Sequence, residues 1–403
     1  MTAFNSDITG SIRQCADRFR QWCVDDALPL WAAAGRNAGG GFLEKLDTQG
    51  NPQHDANIRI RVEARQTYVY AHAAALGWYP DGRHVARSGL DFINRHCLLA
   101  TGFDATGPFP GMGYMLSPQH RIIDDTVDLY SQAFYLLAAA WCHRADPDGP
   151  ALAMARRACE FLDDRMGSDE GGWIEAIPAR LPRRQNPHMH LFEAFMALYQ
   201  ASGDAWYLER ADQIYALFRD HFFDAQHGVL LEFFTEDWQP DPARGTLIEP
   251  GHMVEWCWLL SIYAGLRGLD LGAEMRTLYA QAIERGVNPV TGLMWDELTI
   301  AGEVTKPTHR SWSLTEYLKA SIALARLGDE TAARDIPRLT GLLFSTYLDA
   351  AIPGGWHDQY DGDGRVITDA MEASTFYHYL CACAELNGLA DALDGRDAMA
   401  VPA

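Results

Sequence analysis

The chain has 403 residues, with 33 Lys and Arg against 54 Asp and Glu, a formal charge of −21. Such an excess of acids repels phosphate backbones and anionic bilayers, which argues against nucleic acid or a membrane as partner. Apolar residues make up 48% of the chain without a continuous run of eighteen, so the composition fits a large core with no membrane span.

Met1 to Gln14 is polar and has no apolar leader, which reads as a cytoplasmic protein. From there a unit recurs. A glycine-led apolar run (Gly41-Phe42-Leu43, Gly171-Gly172-Trp173-Ile174, Gly228-Val229-Leu230-Leu231, Gly292-Leu293-Met294-Trp295, Gly354-Gly355-Trp356) passes through a polar turn into a second short segment and a long apolar helix. Gly362-Asp363-Gly364 is the clearest hairpin turn, because glycine supplies the positive φ a tight turn needs. The helices stop at Leu76-Gly77, Ser202-Gly203, Arg267-Gly268, Leu327-Gly328 and Asn387-Gly388. A second, amphipathic helix follows each stop, as at residues 206–218 and 331–343. No Pro/Ser/Gly-rich linker interrupts the series, and no unit can bury its apolar face alone. The pattern predicts one all-α domain over 1–403, a closed toroid of helix pairs with short β-hairpins at one mouth.

At intervals of about 62 residues each long helix starts with a reactive side chain: Arg65, Asp128, His190, His252, Glu316 and His378. Arg65, with Arg61 one turn earlier, reads as a fork for two adjacent sugar oxygens, or as the ion-pair partner of Glu63. Asp128, crowded by Asp124 and Asp125, fits a helix-start acid that complements the dipole. His190 with Glu193 and His252 with Glu255 form matching H-x-x-E motifs, whose spacing sets each imidazole beside a carboxylate that can raise its pKa and fix its tautomer. Asn186 lies one turn before His190 on the same face. Glu316, after Arg310 and Trp312, reads as a hydroxyl clamp beside an aromatic wall. His378 stands in an apolar stretch, in register with His252. Two imidazoles across one mouth suit the movement of a carbon-bound proton near neutral pH.

His188, His190, His252 and Glu255 include metal-ligand types, but His188 and His190 point apart on a helix, and there is neither an H-x-x-x-H pair nor a Gly-rich phosphate loop. The eight cysteines lack metal or redox spacing and read as reduced thiols. No metal or organic cofactor is expected. An inverting glycosidase would need an acid and a base such as Asp125 and Glu316. A non-catalytic sugar-binding toroid would need no paired imidazoles.

Ala64-Arg65-Gln66-Thr67-Tyr68, Asn186-Pro187-His188-Met189-His190 with Glu193, Pro250-Gly251-His252-Met253-Val254-Glu255-Trp256, Trp312 with Glu316, and Phe376-Tyr377-His378 together resemble the N-acylglucosamine 2-epimerase superfamily of sugar epimerases and isomerases. The resemblance covers nearly the whole chain. It implies an (α/α)6 barrel and cofactor-free proton transfer through an enediol or enediolate. By motif, His252 and His378 would be the acid/base pair and Arg65 would hold the C1 and C2 oxygens. Asn186, His190, Glu193 and Glu255 would orient the opened sugar, with Trp312 and Glu316 beside it and Trp356 as a wall. Arg61 stands where the nearest isomerases would carry an aromatic. Sulfoquinovose isomerases fit less well, with glutamine in place of His357 and an arginine with which Arg244 is out of register. The wording of the motifs is nearest the mannose isomerases, which implies interconversion of D-mannose and D-fructose. The alternative is 2-epimerisation of N-acylglucosamine or of a β-1,4-disaccharide such as cellobiose. The partner is a small sugar, and the sequence leaves monomer and homo-oligomer equally open.

Overall fold

A computed structural model describes residues 4–396, so residues 1–3 and 397–403 of the expected span lie outside the described residues. The helices are α1 (Ser6–Gln21), α2 (Leu28–Ala34), α3 (Ile60–Ala75), α4 (Gly82–His96), α5 (Leu129–Ala145), α6 (Ala151–Phe161), α7 (Gln185–Ser202), α8 (Ala205–Leu217), α9 (Pro250–Arg267), α10 (Gly272–Gly286), α11 (Ser311–Arg326), α12 (Glu330–Ser345) and α13 (Phe376–Leu393). Helices α3, α5, α7, α9, α11 and α13 form an inner ring in which each packs on the next and α13 closes onto α3. They are buried on nearly every side, α5 over almost its whole length, as expected of helices that are apolar all round. The outer helices are amphipathic. On α4, for example, Val85, Ala86, Gly89, Leu90, Phe92 and Ile93 face inward at helical spacing.

This is an (α/α)6 barrel. The order of its pieces differs from the expected unit at one place. Among the described residues no outer helix follows α13; α1, at the other end of the chain, packs against α13 and α12 and completes the sixth pair. Accordingly Asn387-Gly388 is no helix stop. The helix runs through it to Leu393, and the Asn387 amide donates to the Ala16 carbonyl of α1 at 3.3 Å, tying the two ends of the chain together. The stops at Gly203 and Gly268 stand, each closing its helix in the left-handed conformation.

The short strands also pair differently from simple hairpins. Thr308–Arg310, just before α11, pairs antiparallel with Gln359–Asp361 of the next unit, and Arg183–Arg184 before α7 pairs with Phe233–Phe234. Lys45–Asp47 joins Ala370–Glu372, linking first and last units. The Gly362–Gly364 turn is present, with Gly364 at φ 82°. Most strand pairing therefore runs from unit to unit around the mouth, which locks the helix starts at fixed relative heights.

A buried acid closes most of the apolar runs and fastens each mouth segment to a helix. Glu44 accepts from the backbone N–H of Arg59 at 2.8 Å, Glu175 from that of Arg184 at 3.1 Å and Asp296 from that of Arg310 at 2.9 Å, and each also takes the guanidinium of the same arginine. These arginines immediately precede α3, α7 and α11. Such charge-assisted bonds satisfy a helix entry and its acid together. Among the described residues no helix is long and apolar enough to cross a membrane.

Candidate active site

The inner helix starts surround a cavity of about 830 Å³ lined by Arg65, Asn186, His190, His252, Glu255, Trp312 and His378, among others. The even spacing in sequence hides an alternation in depth. Arg65, His190 and Glu316 are the sixth residues of α3, α7 and α11; His252 and His378 are the third of α9 and α13; Asp128 is the N-cap of α5. The Asp128 side chain accepts from the Ser131 N–H at 3.2 Å and from Arg180 at 2.8 Å, the helix-start role expected of it.

His252 and His378 flank one indole. The Trp312 ring centroid lies 5.2 Å from that of His252 and 5.5 Å from that of His378. Gly251 permits this approach, since a Cβ there would fall 2.6 Å from the Trp312 ring. The two imidazoles live in opposite fields. His252 Nδ1–H donates to Glu232 at 3.0 Å, with Glu249 at 3.8 Å. Burial disfavours its charge, but Glu232 and Glu249 outweigh this and raise its pKa to about 9. His378 Nδ1–H donates to Glu316 at 2.7 Å. Burial, with the cations Arg65 and Lys319 close by, nevertheless pushes the His378 pKa well below the ordinary histidine value. Near neutrality the site thus holds an imidazolium at His252 and a neutral imidazole at His378, an acid and a base set apart by environment.

Each histidine is oriented from behind. Glu232 also accepts from Gln185 Nε2 at 2.9 Å, and Gln185 Oε1 accepts from Trp256 Nε1 at 2.7 Å. Asn186 Nδ2 stands 2.9 Å from His252 Nε2 while its Oδ1 has no partner, and turning the amide over gives a protonated His252 the Oδ1 acceptor it requires. Behind His378, the fully buried Lys319 meets Glu316 at 2.7 Å. Burial penalises the Lys319 charge, but the Cys381 sulfur and the carboxylates of Glu316, Glu255 and Glu193 hold it protonated, above the usual ammonium range.

Arg65 donates to the Ser374 carbonyl at 3.0 Å and the Tyr130 hydroxyl at 2.5 Å, with its guanidinium 4.1 Å above the Phe134 ring. The expected alternative, pairing with Glu63, does not occur: Glu63 accepts from the Phe42 N–H on the far side of α3. His190 Nδ1 is 3.3 Å from Glu193, and burial lowers its pKa to about 4. Burial and then Glu316 push the Glu255 carboxyl well above the usual carboxylate range.

Several expectations need correction. The second H-x-x-E is no local pair, because Glu255 leans toward His190 at 4.0 Å while His252 takes Glu232 from the preceding mouth segment. Neither Glu316 nor Glu193 lines the cavity. Glu316 orients His378, and Glu193 accepts from Tyr377 at 2.5 Å and supports His190. Trp356 is not a pocket wall; it stacks on Trp31 at 5.0 Å in the core. Asp125 is exposed and outside the cavity, so the acid and base of a glycosidase do not face each other. His188 accepts from the Trp173 N–H at 3.1 Å and donates to Arg184, a structural role. Glu232 and Lys319 were not singled out in the sequence. The acid that ends each apolar run (Glu44, Glu175, Glu232, Asp296, Asp358) was the available signal for Glu232. Three imidazole and carboxylate groups (His190, Glu193, Glu255; Glu232, Glu249, His252; Glu255, Glu316, His378) bring ligand-type atoms within 4.8 Å of one another, and in each the imidazole Nδ1 already faces a carboxylate.

A helical toroid whose mouth holds two carboxylate-backed histidines, an arginine and an indole defines a sugar isomerase or epimerase. The chain belongs to the N-acylglucosamine 2-epimerase (GlcNAc 2-epimerase) family, which it matches over residues 40–382. It is 37% identical over 381 residues to the mannose-6-phosphate isomerase of Rhizobium meliloti (strain 1021), covering 91% of this chain and 95% of that one. With the D-mannose isomerase of Thermobifida fusca it shares 29% over 374 residues, 85% and 87% of the two chains. The cellobiose 2-epimerase structure from Spirochaeta thermophila DSM 6192 has the same fold, with a TM-score of 0.84 over 96% of this chain and 99% of that one at 22% identity.

Proposed function

We propose that this protein interconverts D-mannose and D-fructose, or a close derivative of that pair, by cofactor-independent proton transfer through an enediol. The observation that carries this reading is the opposed setting of His378 and His252 on either side of Trp312. His378 takes the C2 proton of the open-chain aldose while His252 protonates O1, which yields the enediol. His378 then returns a proton to C1 and His252 recovers one from O2, so ketose forms with both residues restored. Arg65 holds the two reacting oxygens, whose charge grows in the transition state. Asn186, His190 and the Glu255 carboxyl orient the remaining hydroxyls. The names of two relatives, a mannose-6-phosphate isomerase and a D-mannose isomerase, support this pair or its close derivative as substrate. Eight free cysteines, seven of them buried, support a reducing cytosol as the place of action.

Inversion at C2 would need a proton delivered to its opposite face, from an acid such as His252 or after rotation of the intermediate; what favours 1,2-transfer is the likeness to isomerases of mannose and its 6-phosphate. Proton NMR of mannose incubated with the enzyme should show fructose as the first product, with glucose late or absent. Early glucose, or early N-acetylmannosamine from N-acetylglucosamine, with no ketose at any time would establish the 2-epimerase alternative.

A further inference from the structure

Six acids line the cavity, and five of them are engaged by a basic side chain. Asp128 meets Arg180 at 2.8 Å, Glu249 meets Arg310 at 3.0 Å, Glu372 meets Arg59 at 2.6 Å, and Glu175 takes Arg184. Glu255 leans to His190 at 4.0 Å. The sixth is Asp358, and among the described residues no lysine, arginine or histidine stands within ion-pair distance of it. It closes its apolar run as Glu44, Glu175 and Asp296 close theirs, but no arginine precedes α13 to take its charge. Two bonds fix it in place. The Asp358 carbonyl accepts from the Ser311 N–H at 2.9 Å, which ties the backbone to the start of α11. Its Oδ1 accepts from the Thr375 hydroxyl at 2.6 Å, which ties the side chain to the entry of α13. Burial raises its pKa, against the opposing effects of Thr375, Arg310, Arg59 and the Trp356 indole.

We infer that Asp358 is a specificity-determining residue that accepts a hydrogen bond from a hydroxyl of the sugar chain beyond C2. Thr375, which holds it, lies one turn ahead of His378, and the adjoining Ser374 gives its carbonyl to Arg65 at 3.0 Å. Asp358 therefore borders the two groups that the isomerase reading sets at C1 and C2, and the inference rests on that reading for the part of the sugar it meets. An ionised carboxyl has about four acceptor positions, of which the Thr375 hydroxyl occupies one. The acids that already hold guanidinia offer a hydroxyl much less. A bond from a hydroxyl to a carboxylate is stronger than one to a neutral oxygen, and a desolvated acceptor left without its partner is penalised. A wall built this way discriminates against a sugar that lacks the hydroxyl it expects.

The test pairs binding with turnover in the wild type, Asp358→Ala and Asp358→Asn. The asparagine keeps an oxygen for Thr375 and so preserves the entry of α13, which circular dichroism checks. Binding is measured by titration calorimetry with D-mannitol, an open-chain analogue that cannot isomerise. Turnover is measured on mannose and on four analogues, each lacking the hydroxyl at C3, C4, C5 or C6. The wild type should lose about tenfold to a hundredfold in kcat/KM on one of the four, the range of a charge-assisted hydrogen bond. Both variants should lose a similar factor on mannose, mainly through KM, and should no longer distinguish mannose from that analogue. Their affinity for mannitol should fall by about tenfold or more. A mannitol affinity equal in wild type and Asp358→Ala, or a set of deoxy-sugar penalties that persists unchanged in both variants, overturns the inference. An Asp358-dependent affinity for mannitol with no ketose formed from mannose upholds the residue's role and sinks the isomerase reading instead.

Discussion

His378→Ala and His252→Ala each lower kcat/KM by about 10²–10⁴-fold, the contribution of a positioned general acid or base, while the circular dichroism of the helical barrel is unchanged. The two losses carry different pH signatures. In the wild type, activity falls as pH rises through about 9, where His252 gives up the proton it donates. At the acid end it holds until pH drops well below the ordinary histidine value of about 6.5, because His378 stays neutral to that point. The plateau is thus wider than unperturbed histidines allow. Glu232→Gln removes the main carboxylate that keeps His252 charged, so the alkaline limb moves to lower pH. An alkaline limb that stays in place in Glu232→Gln would show that His252 is not the acid.

Lys319→Met destabilises the fold by about 3–5 kcal/mol, the effect of removing one partner from a buried ion pair. Lys319 and Glu316 are both fully buried, 2.7 Å apart, in a barrel centre that also holds Glu255 and Glu193. Without the ammonium, Glu316 takes up a proton and becomes a poorer acceptor for His378 Nδ1–H, so kcat falls as well. The double variant Lys319→Met/Glu316→Gln removes the carboxylate left facing the lost ammonium and should unfold at higher denaturant than Lys319→Met alone. Denaturant titration of the three proteins checks this ordering, and a Lys319→Met midpoint equal to that of the wild type would remove the ion pair from the account.

The ring of helix pairs was legible in the sequence because each unit announces itself locally, through a glycine-led apolar run, a polar turn and a helix closed by glycine. The shared register of His252 and His378 was legible for the same reason, whereas Arg65, three residues deeper in its helix, was not placed by the even spacing. What failed were inferences about who meets whom. In a surface helix, residues three apart are each other's natural partners. The inner helices are enclosed on all sides, so a polar group there also meets the next helix or mouth segment. Glu255 accordingly turns to His190, Glu316 to His378 some 62 residues away, and Glu232 to His252 across 20 residues. Trp356 misled because an aromatic serves a sugar wall and a core equally well, and only packing against Trp31 decides between them. Gly388 misled because the sixth outer helix is α1, from the opposite end of the chain.

The central claim, that one base moves the proton from C2 to C1, is tested most directly by running the reaction from mannose in D₂O and locating the label by proton NMR. The account predicts deuterium on one face of C1 of the fructose formed, at less than full incorporation where His378 returns the same proton it removed. Deuterium at C2 of an epimeric aldose, with C1 unlabelled and no ketose formed, would contradict it.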